Sequence, residues 1–200
     1  MVNPELSILD AKTRGDAAVG SLLEGYRNYL RLLARLEIGL RLQGKVDASD
    51  LVQETFLEAH RNFHRFQGTN EPQFACWLRQ ILAANVANLV RRYFGTQGRD
   101  TRLEEELRAE LDNSSRMLGG ELAASLTSPS QQAVHREEAV LLADALDALP
   151  TAYREVIILR HVEGLTFPDV ARRMERTEDS VEKLWVRALA RLRGALGELQ

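Results

Sequence analysis

Two hundred residues, 44% hydrophobic and 28% charged, suit one globular domain or two small ones. A net charge of −3 excludes a bulk polyelectrolyte binder, so any nucleic-acid surface has to be local. The single cysteine, Cys76, excludes an internal disulfide and fits a reducing cytoplasm, and no apolar run approaches the roughly 20 residues of a membrane span.

The acidic start, Met1–Asp10, does not read as a signal peptide. With five prolines, 6% aromatics and no alternating strand pattern bounded by turns, the chain is expected to be all-α. Residues 5–13 have the length of a short helix, ended by Arg14-Gly15-Asp16. Asp16 is expected to cap a long helix to about Leu42, with Val19, Leu22, Leu23, Tyr26, Leu30, Leu33 and Leu36 spaced by three and four. Gly39 and Gly44 loosen its end. Arg27, Arg31 and Arg35 fall on the opposite flank as a solvated basic stripe.

Asp47-Ala48-Ser49-Asp50 starts the next helix, with Val52, Phe56, Ala59 and Phe63 on one face. Asp50, Gln53, Glu54 and Glu58 take the other. His60 and His64 have metal spacing but no third ligand, and flanking a packed face accounts for them. Phe66–Asn70 is a loop. Asn70-Glu71-Pro72-Gln73 then opens a helix with a cap, an acid, a first-turn proline and a capping glutamine. Its core face is Phe74, Trp77, Leu78, Ile81, Leu82, Val86 and Leu89. Arg79, Asn85, Asn88, Arg91 and Arg92 are expected outside that face. Amides and arginines beside aromatics can read single-stranded bases, and an amide can equally bond between helices.

Residues 97–137 change character. Acids outnumber bases, Gly119-Gly120 interrupts, and Ser125–Gln132 is rich in Ser, Thr, Pro and Gln. Arg102–Leu111 has helical spacing but a thin apolar face. The segment reads as an acidic flexible linker between two small helical domains, 1–96 and 138–200. In the second, a helix with Val140, Leu141, Ala145, Leu146 and Leu149 precedes Pro150, and Thr151 is placed to cap the next helix. That helix ends at Gly164 as a C′ residue. Thr166, with Asp169 three residues on, caps a short helix bearing Val170, Ala171 and Met174. Thr177 and Ser180 open a longer one with Val181, Leu184, Trp185, Ala188 and Leu192. Short helix, tight turn and long helix is helix-turn-helix spacing, although two bundle helices give the same pattern. The turn is Glu175-Arg176 rather than glycine, and Glu178, Asp179 and Glu182 make an acidic entrance.

Three stretches resemble bacterial RNA polymerase sigma factors. They are DASDLVQETFLEAHRNFHRFQG (47–68), FACWLRQILAANVANLVRR (74–92) and LPTAYREVIILRHVEGLTFPDVA (149–171). Their order and the two-domain layout are similar to the extracytoplasmic-function group. The resemblance implies a polymerase-binding surface at Asp50, Gln53, Glu54 and Leu57, whose acidic and amide face suits a cationic helical partner. It implies that loop 66–70 and the helix after it recognise and melt the minus-ten promoter element. Gln67, Gly68, Thr69 and Asn70 would shape a base pocket there, with Arg79, Asn85, Asn88, Arg91 and Arg92 as contacts. It implies minus-thirty-five recognition by Glu182, Lys183, Val186 and Arg187, joined by Thr177, Ser180 and Arg191. Glu182 departs from the family, where a basic residue is common. Glutamate cannot hold guanine but accepts from cytosine N4, so a shifted sequence preference is expected.

The partners implied are core RNA polymerase and promoter DNA, as duplex and as melted single strand, in the cytoplasm and without a membrane. An anti-sigma protein, which in the family clamps the linker and domain faces, is left open as a further partner. No cofactor, metal or enzymatic activity is expected, because the chain carries no phosphate-cradling glycine loop, nucleophile elbow or ligand cluster. A helix-turn-helix regulator acting without polymerase and a sigma-like adaptor are the competing readings. The DLVQETF helix separates them, since a simple regulator does not need it.

Overall fold

Helix α1 (Pro4–Arg14) ends where Gly15 turns the chain at φ 81°, a backbone that L side chains rarely adopt. The computed structural model that gives this geometry describes residues 4–41, 47–94, 101–118 and 137–199, and their regular structure is helical throughout. Gly15, not Asp16, is the N-cap of α2 (Asp16–Glu24). Asp16 sits instead in the first turn, where its charge complements the helix dipole.

The single helix expected to run from Asp16 to about Leu42 is broken at Gly25–Tyr26, after which α3 (Arg27–Arg41) begins. Tyr26 supplies the reason. Its ring is buried edge-on against Phe74, with centroids 5.1 Å apart, and its hydroxyl donates to Glu71 Oε1 at 3.2 Å. Burying that aromatic outweighs helical continuity at Gly25, a residue that costs a helix interior about 1 kcal/mol. Arg27 closes over the break, donating to both Glu24 oxygens at 2.7 and 2.5 Å and lying 5.0 Å over the Phe56 ring. Arg27 and Arg31 are therefore half-buried, and of the expected solvated stripe only Arg35 is exposed.

Helix α4 (Ala48–Asn62) starts at Asp47, whose carboxylate accepts from the Ser49 N–H at 2.8 Å. That bond holds the Asp47 carboxyl below its usual range. The buried face of α4 is Ala48, Leu51, Val52, Thr55 and Ala59, packed on α3 and on α5 (Glu71–Phe94). A 3-10 turn, Phe63–Arg65, leads into the loop before α5. Asn70 Oδ1 accepts from the Gln73 N–H at 3.1 Å, and Gln73 Oε1 accepts from the Thr69 N–H at 2.8 Å. Both halves of a capping box are present, the backward bond falling one residue before the cap. Phe74, Leu78, Leu82 and Val86 are wholly buried, each contributing about 1.5–3 kcal/mol.

Part of the expected linker is helix α6 (Thr101–Met117). Leu107 and Leu111 are wholly buried, Asp112 accepts from Arg79 at 2.6 Å and Glu104 accepts from Arg91 at 3.2 Å. Two leucines and two ion pairs are enough to hold a helix whose composition reads as solvated. Residues 119–136, including Gly119-Gly120 and Ser125–Gln132, lie outside the described residues, as does Gly44.

The chain divides into two compact units, Met1–Asn113 and Ser114–Gln200. In the second, α7 (Glu137–Ala148) and α8 (Thr151–Ile157) pack with the last helix. Pro150, not Thr151, is the cap position of α8; the Thr151 side chain is exposed and makes no cap bond. A π turn at Ile158–Val162 follows, and Gly164 ends it at φ 68°. Thr166 caps α9 (Phe167–Arg173), its hydroxyl oxygen accepting from the Asp169 N–H at 3.4 Å while its proton goes to Asp169 Oδ2 at 2.5 Å. The turn to α10 (Glu178–Leu199) places Glu175 at φ 53°. Val170, Val181, Ala188 and Leu192 are wholly buried between these helices.

Candidate nucleic-acid and partner interfaces

On α4 the buried face leaves Asp50, Gln53, Glu54 and Leu57 outward and exposed. Leu57 is 59% exposed, an apolar side chain set among acids and an amide. Such a strip offers a desolvating contact framed by negative charge.

Beyond the 3-10 turn, a cavity of about 580 Å³ opens between the loop and the first turns of α5. Arg65, Phe66, Gln67, Gly68, Pro72, Gln73, Cys76, Trp77 and Gln80 line it. Its aromatic wall is fixed from behind: Phe66 lies 5.1 Å from Trp77 and 5.3 Å from Phe74, and Phe63 touches all three rings. An open, partly aromatic cavity rimmed by amides and an arginine has the chemistry to stack and hydrogen-bond an unpaired base. Of the four residues expected to shape it, Gln67 and Gly68 do. Thr69 and Asn70 do not; their polar groups go to starting α5. The sequence reading missed Gln73, Cys76, Trp77 and Gln80, whose spacing of three and four along α5 was the available signal.

Three of the expected contacts on α5, Asn85, Arg79 and Arg91, are occupied inside the fold. Asn85 is 3% exposed and donates Nδ2 to the Thr55 hydroxyl at 3.3 Å, so it joins α5 to α4 instead of reading bases. Arg79 is mostly buried, its Nη1 donating to the Tyr29 hydroxyl at 2.8 Å beside the bond to Asp112. Arg91 is mostly buried, donating to Glu104 at 3.2 Å and to Asn88 Oδ1 at 2.5 Å, while Asn88 itself is exposed. Arg92 is exposed.

In the second unit the outer face of α10 carries Glu182, Lys183, Val186, Arg187 and Arg191, all exposed. Val186, at 59% exposed, could meet a thymine methyl. Thr177 starts the helix by accepting from the Ser180 N–H at 3.3 Å, and Ser180 itself is half-buried. Lys183 bonds Asp179 at 2.7 Å, so the acidic entrance partly neutralises the helix's own cation. Behind this face, Trp185 Nε1 donates to His161 Nε2 at 3.0 Å, and burial followed by the nearby Arg160 charge keeps the His161 pKa low. Among the described residues no three or more His, Cys, Asp or Glu side chains are grouped to hold a metal ion. No described helix is long and apolar enough to cross a membrane.

The family model for Sigma-70 region 2 matches residues 26–96, and that for Sigma-70, region 4 matches residues 139–192. The chain is 30% identical over 135 residues to the ECF RNA polymerase sigma-E factor of Haemophilus influenzae, covering 68% of this chain and 67% of that one. It is 27% identical over 191 residues to the ECF RNA polymerase sigma factor SigD of Mycobacterium tuberculosis, covering 90% and 82%. The sigma-E factor of Escherichia coli (strain K12) is 28% identical over 129 residues, 64% of this chain and 63% of its own length.

Proposed function

The chain belongs to the ECF RNA polymerase sigma factors, DNA-binding proteins that direct the polymerase to promoters for transcription initiation, and on that premise we propose how its surfaces divide the task. The α4 strip of Asp50, Gln53, Glu54 and Leu57 docks on core polymerase. The cavity beside Phe66 and Trp77 captures an unpaired base of the minus-ten element, with the exposed Asn88 and Arg92 along the same helix meeting the strand. The α10 face of Glu182, Lys183, Val186, Arg187 and Arg191 reads the minus-thirty-five duplex. The observation that carries this reading is the cavity, which lies next to the docking helix in the same unit.

Strand opening then needs no reaction of the protein's own. A base held in the cavity is removed from the duplex, and the binding free energy of that pocket offsets the few kcal/mol of unstacking. Polymerase tethers both units, so each DNA contact can be weak by itself. The exposed acidic strip on α4 favours this reading over a regulator that binds duplex DNA without polymerase. The working compartment is the cytoplasm.

Run-off transcription with core polymerase and a randomised promoter library tests it. Specific starts preceded by a two-part motif are expected. Absence of any specific start would overturn the reading.

A further inference from the structure

The rim of the cavity is braced by a residue from outside residues 26–96. Lys12, on α1, reaches across to the loop and donates Nζ to the Gly68 carbonyl at 2.6 Å. The same ammonium lies 5.4 Å from the centroid of Phe66, the ring that forms the aromatic wall. Gly68 has no side chain with which to hold itself, and adding one would force its neighbours to shift. A Cβ there would stand 2.3 Å from Phe66 Cζ and 2.9 Å from Gln73 Cβ. The lip of the cavity is thus a strip of backbone pressed flat on the ring. Gln73 and Asn70 fasten it on the α5 side, and Lys12 fastens it at Gly68. The strut that carries Lys12 is itself anchored, since Ile8 and Ala11 are buried and α1 packs on α2 and α5.

We propose that Lys12 is a positioning residue for base capture: its bond to the Gly68 carbonyl and its place over Phe66 hold the lip against the aromatic wall. The inference rests on the base-capturing reading of the cavity. A charged donor on a carbonyl is a strong, directional contact, and the cation also gains from the ring face. Releasing it frees the rim at Gly68, which has no side chain of its own, and a cavity whose rim moves distinguishes bases poorly.

The test uses the full chain assembled on core RNA polymerase and a library of single-stranded DNA oligonucleotides randomised over a central stretch. Lys12→Met keeps the aliphatic stem and removes the ammonium; Lys12→Arg keeps a cation; Gly68→Ala displaces the lip without touching Lys12. Lys12→Met is expected to bind single strands about tenfold more weakly and to lose base preference at one position. Its melting temperature and polymerase affinity should stay at wild-type values. Lys12→Arg should recover the preference, and Gly68→Ala should reproduce the loss. Three outcomes overturn the proposal: unchanged selection in Lys12→Met; weaker binding with the preference retained, which is a phosphate contact only; or a fall in melting temperature that accounts for the loss. A wild-type chain with no base preference at all sinks the cavity reading and this inference together, a result separable from the other three.

Discussion

Asn85 and Thr55 stand 30 residues apart and meet in the middle of the first unit, the amide donating to the hydroxyl at 3.3 Å. Thr55 passes its own proton to the Leu51 carbonyl at 2.7 Å, so the pair satisfies polar groups that no water reaches. Asn85→Leu leaves the Thr55 oxygen without its donor and is expected to destabilise the chain by about 1–3 kcal/mol. Chemical denaturation of the full chain measures this. If Asn85→Leu unfolded like the wild type but failed to bind single-stranded DNA, the residue would belong to the nucleic-acid surface after all.

What was legible in the sequence was local. The caps at Asp47, Asn70, Thr166 and Thr177 sit within three residues of their partners, and so did the cues that predict them. The start of α2 is an instructive failure, because Gly15 takes the cap position through its backbone and leaves Asp16 no cap role. Asn85 and Arg79 misled for another reason. Their partners, Thr55 and Asp112, lie far along the chain, and helical periodicity carries no information about what a polar side chain meets across the core. Helical spacing was visible over Arg102–Leu111, but the acidity of α6 and its few buried leucines made the segment read as linker. The cavity lay between: its loop was identified, while on α5 Trp77 was assigned to the core and Pro72 and Gln73 to the helix start.

The α4 strip yields a direct prediction. Glu54→Arg reverses a charge on a face that polymerase is proposed to cover, and a reversal beside a desolvated contact is expected to weaken polymerase binding tenfold or more, about 1.4 kcal/mol. Leu57→Asp should do the same by removing the apolar anchor. Competition binding against a labelled wild-type chain reads both, and full affinity in either variant contradicts the placement of the docking surface.

Glu182 is exposed on the outer face of α10, where nothing in the fold requires a carboxylate. As an acceptor it favours cytosine N4 and disfavours the acceptor edge of guanine. Glu182→Arg is expected to change the selected base at one upstream position, with a preference of about 1–3 kcal/mol, and to leave the minus-ten part of the motif alone. Binding-site selection with both proteins on polymerase decides it; identical motifs would refute the role.

His161 accepts a hydrogen bond from the Trp185 indole through Nε2, which it can do only when neutral. Its pKa is lowered by burial first and by the Arg160 charge second. A base whose folded pKa lies below its unfolded one gives stability that is fully present above the unfolded value, 6.5. That stability is lost as the pH falls through the folded pKa. The second unit is therefore expected to weaken as acid is added below pH ~6.5, with the native Trp185 indole N–H resonance moving only at the lower pH where the folded His161 protonates. His161→Gln should remove that pH dependence. A wild-type stability that ignores pH below that value would dismiss the coupling.

Glu175 holds the turn between α9 and α10 at φ 53°, where an L side chain pays roughly 1–2 kcal/mol. Glycine avoids that strain but loses more entropy on folding, so Glu175→Gly is expected to stabilise the chain by about 0.5–1 kcal/mol. Thermal unfolding checks the sign. Destabilisation would mean that the Glu175 side chain contributes more than its backbone costs.

Helix α6 changes what a salt titration of this protein would count. The slope of log affinity against log salt reports the ions released when cations meet phosphates. Arg91 already holds Glu104, so on moving to a phosphate it would strand a carboxylate that takes up a cation in turn. One ion leaves the DNA as another settles on the protein, and the net release from that contact approaches zero. Arg92, exposed one residue later, bonds no carboxylate among the described residues and would contribute its full share. The apparent number of phosphate contacts from salt dependence should therefore fall below the number found by substituting arginines one at a time.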